Sequence, residues 1–127
     1  MAGERDLDRL LATMEPELQP GRFVFTTVGE VPVDCDPVVL VREAEGATLV
    51  MEREEADRLG LPYEYVAAMI SLQVHSALDA VGLTAAVATV LAGAGMSCNV
   101  VAGYYHDHLF VPYERGSEAV ELLRARR

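Results

Sequence analysis

The most conspicuous polar cluster in the sequence is His106-Asp107-His108. Two histidines at i and i+2 on a strand share a face, and His75 could add a third ligand to a zinc ion. Turn chemistry is the competing interpretation, because His and Asp tolerate turn geometry and no Cys or Glu stands nearby at a ligand spacing. We therefore predict a hairpin turn at His106-Asp107, with no metal site and no cofactor.

Cys98 is the second group with potential chemistry, since a thiol paired with a histidine can act as a nucleophile. It lies in an apolar run beside Val100 and Ala102, where a cysteine behaves as a small buried hydrophobe. The glycines of the run lack the dinucleotide-binding spacing, and no phosphate-loop lysine is present. The sequence therefore predicts no catalytic residue and a protein that is not an enzyme.

A loop of small residues, SALDAVGL at 76–83, precedes Thr84 and the apolar run TAAVATVLAGA. Gly82 permits close backbone approach, and Thr84 is a typical helix N-cap. The unpaired N–H groups at such a helix start attract a carboxylate, and Asp79 could receive an ammonium group. An ordinary strand-to-helix turn with a capping threonine is the alternative, and these residues alone leave both open.

The composition limits the partners of the chain. Ten Lys and Arg stand against 20 Asp and Glu, a formal net charge of −10, which disfavours binding to nucleic acid and to anionic membranes. The longest apolar stretch, 85–96, has only about 12 residues, too few to span a bilayer. The acidic N-terminus is unlike a signal peptide, and two cysteines without CxxC spacing suit a reducing compartment. We expect a cytoplasmic protein.

Hydrophobic periodicity predicts a mixture of helices and strands, with several strands paired in hairpins. Glycines and a capping serine mark several element ends: a reversal at Glu45-Gly46, a helix end at Gly60 and a helix start at Ser117. The helix after Thr84 carries only small and apolar residues, so we expect it to be largely buried. The predicted helices span 6–14, 53–59, 84–94 and 118–127, and the predicted strands span 22–28, 38–43, 47–52, 66–75, 97–105 and 108–113.

The two halves share a local pattern. LVMEREEADRL at 49–59 and FVPYERGSEAVELL at 110–123 both run from an apolar strand through Glu-Arg to a helix. The second half has the order β, α, β, β, α, which begins a βαββαβ unit. Antiparallel sheets of that type carry helices on one face.

The segment VHSALDAVGLTAAVATVLAGAGMSCNVVAGYYHDHLFVP at 74–112 resembles the core of an ACT domain. GRFVFTTV, VVLVREAEGATLVM and EADRLGL resemble the degenerate first unit of small bacterial proteins built from two ACT-like units. The resemblance implies an α+β, ferredoxin-like (βαββαβ) fold with antiparallel sheets and helices on one face. It also implies an ACT-like unit with an N-terminal helix at 1–64 and a second unit at 65–127.

The resemblance further implies an amino-acid ligand in the clefts between paired units, and hence a free-standing regulatory sensor that forms a homodimer or higher homo-oligomer. A ligand-free oligomerisation or partner-docking module is the alternative. In ACT domains the loop and the start of the next strand bind the ligand, and Asn99 can offer both a donor and an acceptor. The expected ligand-binding residues are Ser76, Asp79, Gly82, Leu83, Thr84, Cys98, Asn99 and Val100.

Overall fold

The computed structural model describes residues 3–74, 77 and 79–126, so His75 and Ser76 lie outside the described residues. By its contacts the chain divides into two compact units, Gly21–Ala67 and the combination of Met1–Pro20 with Ala68–Arg127. The predicted division into 1–64 and 65–127 follows sequence similarity and stays a prediction. The helices are α1 (Leu7–Thr13), α2 (Arg53–Leu59), α3 (Leu83–Gly93) and α4 (Gly116–Arg126); the strands are β1 (Pro16–Leu18), β2 (Phe23–Val28), β3 (Val39–Glu43), β4 (Gly46–Glu52), β5 (Val66–Leu72), β6 (Asn99–Ala102) and β7 (Asp107–Pro112).

The unit at 21–67 is an antiparallel sheet with one helix. Its strands run in the order β3-β4-β2, and Val66 and Ala67 at the start of β5 pair with β2 on the other side. Val24, Leu49 and Met51 pack against Ala56 of α2. The predicted β3–β4 hairpin is confirmed, and so is the end of α2 at Gly60, whose φ of 70° is left-handed.

The other unit contains β5, α3, β6, β7 and α4, with the strand order β1-β5-β7-β6. This is the β, α, β, β, α order predicted from the sequence. The N-terminal strand β1 pairs antiparallel with β5, from Pro16 opposite Leu72 to Leu18 opposite Ile70. It therefore takes the place of the last strand of a βαββαβ unit. The sequence analysis missed it because Pro16 is typical of a helix end, and three residues show no periodicity.

The core of this unit confirms helices packed on one face of the sheet. Ile70, Leu72, Leu109 and other apolar strand residues pack against apolar residues of α1, α3 and α4. The prediction that α3 is largely buried is wrong, because its inward stripe is narrow and small residues face solvent elsewhere on the helix. The buried residues of α3 are Leu83, Val87 and Leu91, while Val74, Val100 and Leu122 at the edge of the core are only partly buried.

Three predicted element ends need correction. The N-cap of α3 is Gly82 rather than Thr84, because the chain enters the helix through a φ of 103° that favours glycine. The β6–β7 hairpin turns between Gly103 and His106, closed by a 2.9 Å bond from the Gly103 N–H to the His106 carbonyl. Asp107 therefore begins β7 instead of forming the turn. A 3-10 turn over Tyr113–Arg115 leads directly into α4, so Ser117 lies inside that helix.

Candidate functional site

A cavity of about 110 Å³ lies at the start of α3. Gly82, Leu83 and Thr84 line it, so the structure brings three of the predicted site residues together. Thr84 and Ala102 on its rim are exposed, whereas Leu83 and Asp107 are buried. The cavity therefore reaches from the surface into the unit. Its described lining residues are Ala77, Ala80, Gly82, Leu83, Thr84, Ala102 and Asp107.

The N-terminus of α3 leaves backbone donors available at this cavity. A helix cannot pair the N–H groups of its first turn, and side-chain capping normally compensates. Gly82 has no side chain, and α3 has no side-chain cap hydrogen bond. The N–H groups of Leu83 and Thr84 thus lie at the positive end of an 11-residue helix, without a capping side chain.

Gly82 is required for packing as well as for its backbone angle. A Cβ atom at this position would lie 2.9 Å from Cδ2 of Leu7 in α1. Leu7 therefore occupies the space that a side chain at residue 82 would need. The sequence analysis attributed this glycine to close approach of a ligand, whereas in the structure the close approach is made by Leu7.

Asp79 is held by an ion pair with Arg5. The Arg5 guanidinium donates to both carboxylate oxygens of Asp79, at 2.9 and 3.2 Å. The Ala77 N–H, two residues earlier, donates to the carbonyl of Glu4 at 2.8 Å. The hydrogen bonds from Arg5 lower the pKa of Asp79. The acceptor that sequence reasoning assigned to a ligand ammonium is therefore already paired with a cation of the chain.

Asp107 is the acidic residue that the structure places at the cavity. It pairs with Ala102 across the β6–β7 hairpin, so the two side chains share a face of the sheet. Leu109, two positions further along β7, belongs to the core beneath the helices, and Asp107 is on that same face. The sequence analysis assigned Asp107 to a turn. Its spacing of two from Leu109 was the signal that could have placed it on the inner face.

The remaining predicted site residues do not line the cavity within the described part of the chain. Cys98 and Val100 are partly buried against the core, and burial raises the pKa of the Cys98 thiol. Asn99 is exposed at the start of β6, opposite Phe110. Ser76 lies outside the described residues.

In the histidine cluster, His108 is hydrogen bonded, whereas the buried Nδ1 of His106 has no hydrogen-bond partner in the ranges that the structure describes. His108 Nδ1 lies 2.8 Å from Ser71 Oγ, which also accepts a 3.2 Å hydrogen bond from the Gln19 amide. The His106 and His108 rings are perpendicular, with centroids 6.5 Å apart. Burial, and then the charge of His106, lower the pKa of His108. Among the described residues, no group of three His, Cys, Asp or Glu side chains is arranged to hold a metal ion.

Two larger hollows lie away from α3. One of about 320 Å³ lies beside β1 and α4, where Arg124 pairs with Glu15 at 3.0 Å. The other, of about 410 Å³ and in the unit at 21–67, is lined by Phe25, Tyr65 and their neighbours. Both are more open to solvent than the cavity at α3. We favour the smaller cavity as the site because it combines a buried carboxylate with a helix start that has no side-chain cap.

Antiparallel strands with helices packed on one face, and a cavity at the start of a helix, define a small α+β protein of the ferredoxin-like class. Two family models, each described as ACT domain, match residues 2–68 and 64–125. The chain belongs to the ACT-domain family, and the fold predicted from the resemblance is confirmed. No curated protein matches the chain. No helix in the described ranges is long and apolar enough to cross a membrane.

Solved structures agree with this assignment. A Vibrio cholerae protein of unknown function, described as a possible transport protein, is 48% identical over 94% of each chain, with a TM-score of 0.84. The ligand-free regulatory subunit of Thermus thermophilus aspartate kinase is 8% identical, over 88% of this chain and 95% of that one, with a TM-score of 0.65. Escherichia coli aspartokinase III in complex with aspartate and ADP is 12% identical over 89% of this chain and 32% of that one, with a TM-score of 0.62. The last two share the fold alone.

Proposed function

We propose that this chain is a regulatory ACT-domain protein that binds an amino acid at the start of α3. The observation that carries the proposal is the cavity of about 110 Å³ where uncapped N–H groups of α3 lie near the buried carboxylate of Asp107. An α-amino acid carries a carboxylate and an ammonium group on one carbon. The cavity therefore offers complementary partners to both charges.

The ligand carboxylate would accept hydrogen bonds from the N–H groups of Leu83 and Thr84. Such charge-assisted bonds are worth about 1.5–3 kcal/mol each, and the positive helix end adds to them. Gly82 fixes the entry of the chain into α3 and thus the direction of these donors. Asp79, Cys98, Asn99 and Val100 do not line this cavity within the described part of the chain, so they and Ser76 stay proposed site residues on the resemblance alone.

Two structurally similar proteins support a regulatory role. One is the regulatory subunit of an aspartate kinase, and the other is an aspartokinase in complex with aspartate. A chain that binds an amino acid without transforming it would act by changing its own conformation or association. This role needs no catalytic residue.

A thermal-shift screen with the twenty amino acids, followed by calorimetry, tests the proposal. A ligand at about one hundred times its Kd stabilises the folded protein by about 2.7 kcal/mol, which raises Tm by several degrees for a chain of this size. We expect at least one amino acid to give this shift. The absence of heat with every amino acid at millimolar concentration, using folded protein, would contradict amino-acid binding.

A charge change at Thr84 locates the site. Thr84 is exposed in the first turn of α3. A carboxylate at this position interacts favourably with the helix dipole and stabilises the helix by about 0.3–1 kcal/mol. Thr84→Glu should therefore keep or raise Tm while it weakens binding of the ligand carboxylate by repulsion. Thr84→Gln, of similar shape but neutral, is the matched control and should keep the affinity. Equal affinities for the two variants would place the ligand elsewhere.

The second candidate function is assembly or partner docking without a ligand. The observation in its favour is β3, an edge strand of the unit at 21–67 whose Leu40 and Val41 are exposed. Edge strands with exposed apolar side chains pair readily with another chain. If this is the whole function, no amino acid should change Tm or the association state, and the Thr84 variants should leave the association state unchanged.

A further inference from the structure

We propose that the cavity at α3 selects a small α-amino acid, of the size of glycine, alanine or serine, and binds its ammonium group on Asp107. This inference rests on the proposed function and adds two properties to it, the upper size of the ligand and the identity of its cation acceptor. Both come from the residues that line the cavity.

The size limit follows from the volume of the cavity and from its lining. A cavity of roughly 150 Å³ accommodates benzene, with about six non-hydrogen atoms, whereas pockets for drug-sized ligands begin at roughly 300 Å³. By the same ratio the cavity of about 110 Å³ encloses about four or five non-hydrogen atoms, which is the size of glycine. Alanine or serine would extend by one or two atoms toward the open rim. Ala77, Ala80 and Ala102 line it with methyl groups, and none of these has a polar group to bind a long side chain.

The cation acceptor follows from a comparison of the two aspartates. Asp79 is exposed and already paired with Arg5. Asp107 is only 8% exposed. It is the one charged residue among the described residues that line the cavity. It makes interactions of its own within the protein, but a carboxylate offers about four acceptor positions. It can therefore receive an ammonium group in addition to those interactions.

The ligand series tests both properties with the unmodified protein. We expect calorimetry to detect glycine, alanine or serine and to give at least about tenfold weaker binding for leucine, phenylalanine and arginine. Propionate, which is alanine without its ammonium group, should bind at least about tenfold more weakly than alanine. Equal or tighter binding of a large amino acid would overturn the size limit and leave amino-acid binding itself intact.

Two pairs of variants test the residues. Asp107→Asn keeps the shape of the side chain. It should lower the affinity for alanine about tenfold or more and leave the affinity for propionate unchanged. Asp8→Asn, at an exposed position of α1, is its control. Ala102→Val should reduce the affinity for serine more than that for glycine, since the added methyl groups occupy cavity volume. Ala92→Val, at an exposed position of α3, is its control.

The outcomes separate this inference from the proposed function. If alanine binds and Asp107→Asn, folded by its thermal transition, keeps the full preference for alanine over propionate, Asp107 is not the ammonium acceptor. If Asp107→Asn does not fold, Asp107→Glu takes its place, because it keeps the charge and moves it by one methylene group. An unchanged preference for alanine over propionate in that variant would exclude Asp107 as the ammonium acceptor. If no amino acid binds the unmodified protein, the proposed function fails and this inference fails with it.

Discussion

Arg5 and Asp79 form a two-point ion pair across 74 positions of the sequence, with N–O distances of 2.9 and 3.2 Å. The pair ties the N-terminal segment to the loop before α3. We predict that Arg5→Gln raises the pKa of Asp79 toward its ordinary value, because the hydrogen bonds from Arg5 are the largest cause of its depression. A carboxyl NMR titration measures this change.

The same pair gives a pH dependence with a defined sign. A depressed carboxyl pKa in the folded state contributes stability that is present above the ordinary value of 3.8 and is lost as the pH falls through the lower folded value. Arg5→Gln removes this contribution, whereas Arg42→Gln, on exposed β3, should retain it. An unchanged Asp79 pKa in Arg5→Gln would show that another group sets it.

The second prediction concerns Gly82 and its contact with Leu7. Gly82→Ala should lower the free energy of unfolding by about 1–3 kcal/mol, because the φ of 103° is strained for alanine and the new Cβ meets Leu7. In the Leu7→Ala background the same substitution should lower the free energy of unfolding by less, because the contact with Leu7 is gone and only the backbone strain remains. Urea denaturation of the four proteins measures this coupling.

Gly93 provides a matched control at the other end of α3. It has helical geometry, and no atom lies within 4 Å of the Cβ that alanine would add there. Gly93→Ala should therefore be neutral or stabilise the protein by up to about 1 kcal/mol. If the two Gly→Ala variants had equal effects, the strain and the Leu7 contact would not matter.

The sequence predicted the family and the order of the elements apart from β1, and three of its proposed site residues, Gly82, Leu83 and Thr84, line the cavity. Periodicity identified α3 and β7 because buried residues recur on one face, as Val87 and Leu91 do in α3. The ion pair of Asp79 with Arg5 and the burial of Asp107 depend on contacts between distant segments. Neither has a local pattern that a single sequence could reveal.

The third prediction concerns His108 and the pH dependence of stability. Its pKa lies below the ordinary value of 6.5, because burial and the charge of His106 disfavour the protonated ring. As the pH falls below 6.5 the unfolded chain therefore binds the proton first, and the folded state loses stability until the pH reaches the folded pKa. His108→Gln should show a flatter decline across this range.

Urea denaturation of the unmodified protein and of His108→Gln at about pH 7.5, 6.0 and 5.0 tests this prediction, because these values lie on both sides of the ordinary histidine pKa of 6.5. At the highest pH the variant should be the less stable protein, because the hydrogen bond of His108 with Ser71 is altered. The difference between the two proteins should then shrink as the pH decreases. A difference that stays constant over the series would mean that His108 does not titrate in this range.

The last prediction concerns assembly through β3. This strand is an edge of the sheet in the unit at 21–67, and Val41 at its centre is 46% exposed. Because an unpaired strand edge with apolar side chains is a template for another strand, we expect two copies to pair through β3. Val41→Lys would place like charges near each other in such a pair, and sedimentation should show a shift from dimer to monomer.

Val33→Lys, the same substitution at a fully exposed position, should remain a dimer. A monomeric unmodified protein, or a dimer that survives Val41→Lys, would exclude this strand as the interface.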